Sequence, residues 1–196
     1  MATLEACLKK ATGIEYDFSE ENMKNLMAIY SRYGFEIETN DGGLWSMSIA
    51  YLTSWLGPIL EKTDYYDDYS TLSIVYDPYL HVQNIKIIDL NLPDPLSKKD
   101  KKYYDAFNKE NNKLKKAIME YGAVAIATEW DWSGNHAICF VGWDDNYIGK
   151  TVYGEDDEPG AWIIKNSWGS TWGDDGYGYL PYRNNILKEN DFLTAY

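Results

Sequence analysis

The order of apolar and polar residues divides the chain into a helical first part and a strand-rich second part. Apolar side chains recur at three- and four-residue spacing over residues 2–11 and 45–56, and again after Ser19, which is a favourable N-cap residue. A longer and more polar helix is predicted over about 99–121, with Gly122 as its stop. We therefore expect three helices in the first third of the chain and a fourth in the middle.

Short runs of β-branched and aromatic residues alternate with clusters of Gly, Asp and Asn, which is typical of strands joined by turns. The predicted strands cover residues 81–90, 123–128, 137–143, 161–166 and 176–182. Helices followed by antiparallel strands indicate an α+β chain with two lobes. We expect one domain over 1–196, with a mostly helical lobe over 1–80 and a mostly β lobe over 81–196.

Composition narrows the range of functions. The chain has 196 residues, of which 45% are hydrophobic, so it is long and apolar enough to bury a core. Its formal net charge of −13 argues against a nucleic-acid partner, because phosphate contacts need clustered Lys and Arg. No apolar run approaches the length of a membrane span, so no membrane insertion is predicted. No cofactor or metal site is predicted either, since the acidic segment 144–158 lacks the ligand spacing of a calcium loop and is expected to be solvated.

His136 and Asn166 are the candidate chemical residues. A thiol protease needs a base that holds the thiolate as an ion pair and later protonates the leaving amine, and a polar residue that fixes the ring of that base. Both residues lie at the edges of predicted strands, where a sheet would hold them side by side. Trp168 and Trp172 offer indole faces that would shield a His–Asn hydrogen bond from water. Without a family pattern, a histidine beside a strand is more often a structural residue than a catalytic one.

Three sequence blocks around these residues resemble the carboxy-terminal half of papain-family cysteine peptidases. They are NHA at 135–137, VGWD at 141–144 and KNSWGSTWGDDGY at 165–177. Earlier segments, YDFSEE at 16–21 and DGG at 41–43, resemble the first half of that family in the same order. The resemblance covers essentially the whole chain and is strongest to disulfide-poor bacterial and archaeal members that are secreted or held at the cell surface. It implies a papain-like two-lobe fold with a helical left lobe and an antiparallel β-sheet or barrel as the right lobe.

The resemblance also implies roles for individual residues. His136 would be the general base and acid, Asn166 would orient its ring, and Trp168 would cover the pair and border the bound substrate. These three residues form the carboxy-terminal part of the implied site.

The remaining substrate-binding residues follow from the same resemblance. Gly42 and Gly43 would present backbone groups to an extended peptide. Trp45 and Ala137 would lie near the pocket for the second residue before the scissile bond, and Asn135 belongs to the same substrate-binding set. A plain turn at the two glycines and a core role for Trp45 remain open.

The nucleophile of the family is a cysteine at the amino end of the first helix, where the helix dipole and the histidine lower its pKa. Matching the family through Leu4-Glu5 or through Ser19-Glu20 puts that position roughly three to six residues before Met1, and the glutamine of the oxyanion hole further upstream. Cys7 lies on the apolar stripe of the first helix, and Cys139 faces away from His136 by strand alternation, so both are expected in the core. We therefore expect a truncated chain that lacks its nucleophile and is inactive as given.

Three functional interpretations follow. The chain is a truncated form of an active peptidase, or a non-catalytic homologue that binds peptides or proteins. A different Cys-His-Asn acyl transferase, such as a transglutaminase-like enzyme, is disfavoured by the NSWG block at 166–169. The expected partner is a peptide or protein substrate. The resemblance also allows an additional surface-anchoring or lectin-like domain in the full-length protein. The chain departs from the family in its short connection before His136, so residues 129–134 are expected to leave one side of the cleft open.

Overall fold

The computed structural model describes residues 1–93, 97, 100–129, 135–182 and 192–195, and for residues 129, 135 and 192–195 it describes the backbone alone. The helices are Ala2–Thr12 (α1), Glu20–Met27 (α2), Trp45–Thr53 (α3) and Lys101–Tyr121 (α4). The strands are Ile85–Ile88 (β1), Val124–Glu129 (β2), Asn135–Asp144 (β3), Gly149–Thr151 (β4), Gly154–Asp156 (β5), Ala161–Lys165 (β6), Tyr177–Pro181 (β7) and Phe192–Ala195 (β8). This is the α+β arrangement that the sequence predicts. Within those ranges no helix has the length and apolarity needed to cross a bilayer.

Local capping interactions set the helix ends. α1 stops at Gly13, which takes the left-handed conformation with φ 74° and donates its N–H to the Lys9 carbonyl. The Ser19 hydroxyl accepts the Asn22 N–H at 3.0 Å and so begins α2 as predicted. Asp100 caps α4 by accepting two backbone N–H groups of its first turn. These contacts join neighbouring residues, which is why the helix starts were predictable from sequence.

Two helices end earlier than predicted. α3 stops at Thr53 instead of residue 56. The helical spacing after Ser19 runs on to Tyr30, but α2 stops at Met27 and Tyr30 is exposed. The N–H groups of Ile29 and Phe35 take part in a short backbone pairing with Ile37 and Met27 that replaces a further helical turn. A local backbone pairing therefore takes the place of a further helical turn at the end of α2.

The main sheet is antiparallel and has the strand order β1-β8-β2-β3-β6-β7 within the described residues. The pairing of β8 with β1 and β2 was not predicted, because its partners lie far away in sequence. A separate hairpin, β4–β5, occupies part of the acidic segment that was expected to be a solvated loop. The Val152 N–H donates to the Tyr179 carbonyl at 2.9 Å and ties this hairpin to β7.

Two hydrophobic clusters hold the elements together. One fills the space between α4 and the main sheet and includes Leu114, Phe140 and Trp162, which are fully buried. The other joins α1, α2 and α3 around Phe18 and Tyr51. Leu114, Ala117 and Ile118 recur at helical spacing along α4, which predicts that they face inward, and all three are buried. α4 is thereby fixed against the strands that carry the candidate chemical residues.

Replacing Leu114 with alanine should lower the free energy of unfolding by about 2–5 kcal/mol, because it removes buried methyl groups and leaves a cavity in the core. Met119→Ala is a matched control on the same helix, since Met119 is 57% exposed. It should change stability by less than about 0.5 kcal/mol. Urea unfolding followed by circular dichroism measures both, and equal midpoints for the two variants would contradict this packing.

Candidate active site

His136 and Asn166 meet because β3 and β6 pair in antiparallel register. Cys139 lies opposite Lys165, so the residue after β6 falls beside the beginning of β3. His136 Nε2 and Asn166 Oδ1 are 2.8 Å apart, within hydrogen-bond distance. The two candidate residues of the sequence are therefore in direct contact.

The environment of Asn166 fixes the direction of this hydrogen bond. The Ser167 N–H donates to the same Oδ1 atom at 2.8 Å, which identifies the atom as the amide oxygen. Because an amide oxygen only accepts, Nε2 of His136 carries the hydrogen. In the neutral ring the lone pair is then on Nδ1, and this is the nitrogen that can take up a proton.

Asn166 itself is held rigidly. It is 7% exposed, and its backbone N–H donates to the Gly176 carbonyl at 2.9 Å. Sequence reasoning assigned no role to Ser167 or Gly176, although both lie in or beside the recognised block. A backbone contact of this kind has no residue-specific pattern, so it could not be read from the sequence.

Trp168 covers the imidazole ring. The two ring centroids are 4.9 Å apart with a tilt of 32°. Trp172 packs against Trp168 in a T-shaped arrangement, with ring centroids 5.8 Å apart. Trp168 is still 49% exposed, so one face covers His136 and part of the ring remains open to solvent. The expected position of Trp168 over the pair agrees with this geometry.

Glycine is required in the loop that carries these indoles. Gly173 has φ 60°, and a Cβ added there would lie 2.1 Å from the Tyr177 carbonyl oxygen. Any side chain at this position would push the loop away from β7. The tight return of the chain is what places Trp168 against His136.

The predicted substrate-binding residues lie at two places. Gly42 and Gly43 are in an exposed turn just before α3. Trp45 is the first residue of α3 and lines an apolar cavity of about 80 Å³ between the helices and the sheet, together with Ala125. Ala137 is exposed on β3 and shares the face of the sheet that carries Ala125. Trp45 therefore lines this cavity, whereas Ala137 is not among its lining residues.

Two predictions concern residues that the structure describes only in part or not at all. Asn135 begins β3, but its side chain is outside the described part of the chain. The expected opening of the cleft at 129–134 also falls mainly on residues outside the described ranges.

Both cysteines are buried, as the sequence predicted. Cys7 and Cys139 are each 4% exposed, and neither forms a disulfide. Cys139 Sγ lies 3.2 Å from the Thr3 hydroxyl of α1, so the side chain leaves β3 on the face opposite to His136. Burial raises the pKa of the Cys139 thiol to about 11, which keeps it protonated at neutral pH. The two thiols are part of the core.

A family model described as papain family cysteine protease matches residues 1–191. The chain belongs to the papain family. The viral cathepsin of Adoxophyes honmai nucleopolyhedrovirus is 29% identical over 170 residues, which are 79% of this chain and 43% of the viral protein. The clostridial cysteine protease Cwp84 after propeptide cleavage is 27% identical, with a TM-score of 0.75 over 99% of this chain and 50% of that one. The predicted papain-like fold is thereby confirmed.

A second similar structure contains the cysteine protease and lectin-like domains of Cwp84, which is a surface layer associated protein of Clostridium difficile. It matches with a TM-score of 0.69 at 27% identity, over all of this chain and 44% of that one. The chain therefore spans half or less of the length of these papain-family relatives.

The buried thiols lead to a labelling prediction. Iodoacetamide at pH 8 should leave the folded chain unmodified, because both sulfur atoms are shielded and burial raises the pKa of the Cys139 thiol to about 11. In denaturant, both cysteines should be alkylated. Intact mass spectrometry measures the number of adducts. Rapid modification of Cys7 or Cys139 in the folded state would contradict their core assignment.

Proposed function

We propose that His136 and Asn166 are the base and the orienting residue of a papain-like thiol protease site. The supporting observation is the 2.8 Å contact between His136 Nε2 and Asn166 Oδ1 beneath Trp168. Nδ1 would accept the thiol proton, which gives a thiolate and an imidazolium ion. The thiolate attacks the peptide carbonyl, and the imidazolium then gives the same proton to the leaving amine.

Asn166 acts through the ring. By accepting from Nε2, its amide oxygen keeps Nδ1 directed toward the reacting atoms in both protonation states of His136. Trp168 limits the access of water to this hydrogen bond, which strengthens it. The proton is transferred at Nδ1, and Asn166 remains neutral throughout.

We infer that the nucleophilic thiol is not among residues 1–196. The two cysteines of this sequence are Cys7 and Cys139, and both belong to the core. The chain as given should therefore not hydrolyse peptides by thiol attack, and it fits a truncated form of the protease domain. Covalent catalysis would need a cysteine, and an oxyanion-hole glutamine, contributed by residues outside this range.

The substrate is a polypeptide bound in extended form. The exposed Gly42 and Gly43 are suited to backbone pairing with it, since neither adds a side chain at the surface. The cavity lined by Trp45 and Ala125 is apolar, which suits an aliphatic side chain, and Asn135 and Ala137 would border the same peptide. Residues 1–80 and 81–196 would be the two lobes of one domain, a division supported by the two hydrophobic clusters.

A secreted or cell-surface location in a bacterium or archaeon is proposed from the similarity to Cwp84. That protein is described as surface layer associated and combines its protease with a lectin-like domain. By analogy, this chain would work alongside an additional surface-anchoring or lectin-like domain in its full-length protein. Its high negative charge gives no reason to expect a nucleic-acid partner.

Activity should depend on a cysteine supplied ahead of α1. A longer form encoded by the same reading frame and carrying that cysteine should cleave a fluorogenic peptide, whereas residues 1–196 should not. In the longer form, His136→Ala should lower kcat/KM by about 10³-fold or more, because the base and the acid are both lost. Asn166→Ala should cause a smaller loss, since the base remains but is poorly oriented.

His81→Ala is the matched control. His81 is the other histidine of the chain and stacks on Trp55 at 4.3 Å, far from β3 in the chain. Its replacement should leave kcat/KM unchanged. A longer form that contains the cysteine, binds extended peptides and still does not cleave them would favour the non-catalytic binding module. Thiol-dependent cleavage by residues 1–196 alone would contradict the absence of a nucleophile.

A further inference from the structure

A second and larger cavity is lined by Trp168 and by residues that play no part in the proposed catalysis. It has a volume of about 630 Å³ and lies between the β4–β5 hairpin, β7 and the loop that carries Trp168. We call it the aromatic cavity. The residues that matter for its chemistry are Lys150, Trp168, Trp172, Asp174, Tyr177 and Tyr179. Its volume is in the range of sites that hold small ligands or side chains with their flanking backbone.

The aromatic walls are held in place before any ligand binds. Tyr179 stacks on Tyr147 with ring centroids 3.7 Å apart and an interplanar angle of 8°. Trp172 lies directly on β7, because residue 178 is glycine and a Cβ there would come within 2.9 Å of its ring. The hydrogen bond from the Val152 N–H to the Tyr179 carbonyl holds the β4–β5 hairpin, which closes one side of the cavity. A ligand would therefore meet preorganised ring surfaces at a small entropic cost.

The charges around these rings favour a cation. Faces of Trp and Tyr rings carry partial negative charge and attract ammonium and guanidinium groups. Asp174 adds a carboxylate to the lining, and Asp175 follows it in the chain. Lys150 is the opposing charge, but Glu155 lies directly across from it in the β4–β5 hairpin. The net charge of −13 would in addition draw cationic partners toward the surface.

We propose that the aromatic cavity binds the side chain of an arginine or lysine in a polypeptide partner. The cation would lie over the indole and phenol faces and pair with Asp174, while the remaining volume takes the neighbouring backbone. Trp168 contacts the imidazole ring of His136 and also lines this cavity. A polypeptide bound at His136 would lie next to an indole that also lines the cavity, and in this respect the inference rests on the proposed function.

The test is a titration with two peptides that differ in charge alone. Acetyl-Gly-Gly-Arg-Gly-Gly-amide and its citrulline counterpart have nearly the same shape, but only the first is cationic. At low ionic strength, the arginine peptide should bind at least fivefold more tightly, and the difference should shrink as salt is added. Binding is followed by NMR through the indole N–H signals of Trp168 and Trp172, which also report where the peptide binds.

Two variants should shift the affinity in opposite directions. Asp174→Asn should weaken binding of the arginine peptide, because it removes the paired carboxylate while keeping the shape. Lys150→Gln should strengthen it, because a repelling charge is lost. Asp77→Asn changes the net charge by the same amount as Asp174→Asn at an exposed position outside the cavity lining, and it should leave the affinity unchanged. Thermal unfolding midpoints confirm that all three variants fold.

Equal affinities for the arginine and citrulline peptides would overturn the proposal. So would weaker binding by Lys150→Gln, which would indicate an anion site. Neither measurement requires cleavage. His136→Ala should retain the binding, so the proposed catalytic role of His136 can fail while the cation site stands, and the reverse also holds.

Discussion

The antiparallel register between β3 and β6 is the constraint on which the candidate site depends. Phe140 lies opposite Ile164 in this pairing, and both side chains are fully buried. A slip of one residue would turn these side chains out of the core, so the register is strongly specified. The same register brings Asn166 to His136 and gives their 2.8 Å contact. Core packing thus positions a polar pair that contributes little to packing itself.

Because side chains alternate along a strand, the histidine and the cysteine of β3 lie on opposite faces of the sheet. His136 leaves the strand on one face toward Asn166 and Trp168, whereas Cys139 leaves on the other toward α1. Burial then raises the pKa of the Cys139 thiol to about 11 and suppresses its reactivity. The chain therefore combines a well-positioned histidine with two structural cysteines.

Trp168 links two regions of different character. Towards β3 it covers the imidazole, where exclusion of water strengthens a hydrogen bond. It also forms part of the aromatic cavity, whose rings and Asp174 suit a cation. Trp172 and the glycine turn at Gly173 hold the indole in both roles. Any change in this loop would alter the proposed catalytic pair and the proposed binding cavity together.

The amino-acid sequence by itself determined the helices and the identity of the candidate pair. Ser19 and Gly13 act on backbone groups a few residues away, so their effects are local and readable. The block at 165–177 identified the papain family and, with it, His136 and Asn166. Tertiary structure alone decided the position of β8, the docking of the β4–β5 hairpin and the aromatic cavity. Each of these depends on contacts between residues far apart in the chain, and such contacts leave no periodic pattern in the sequence.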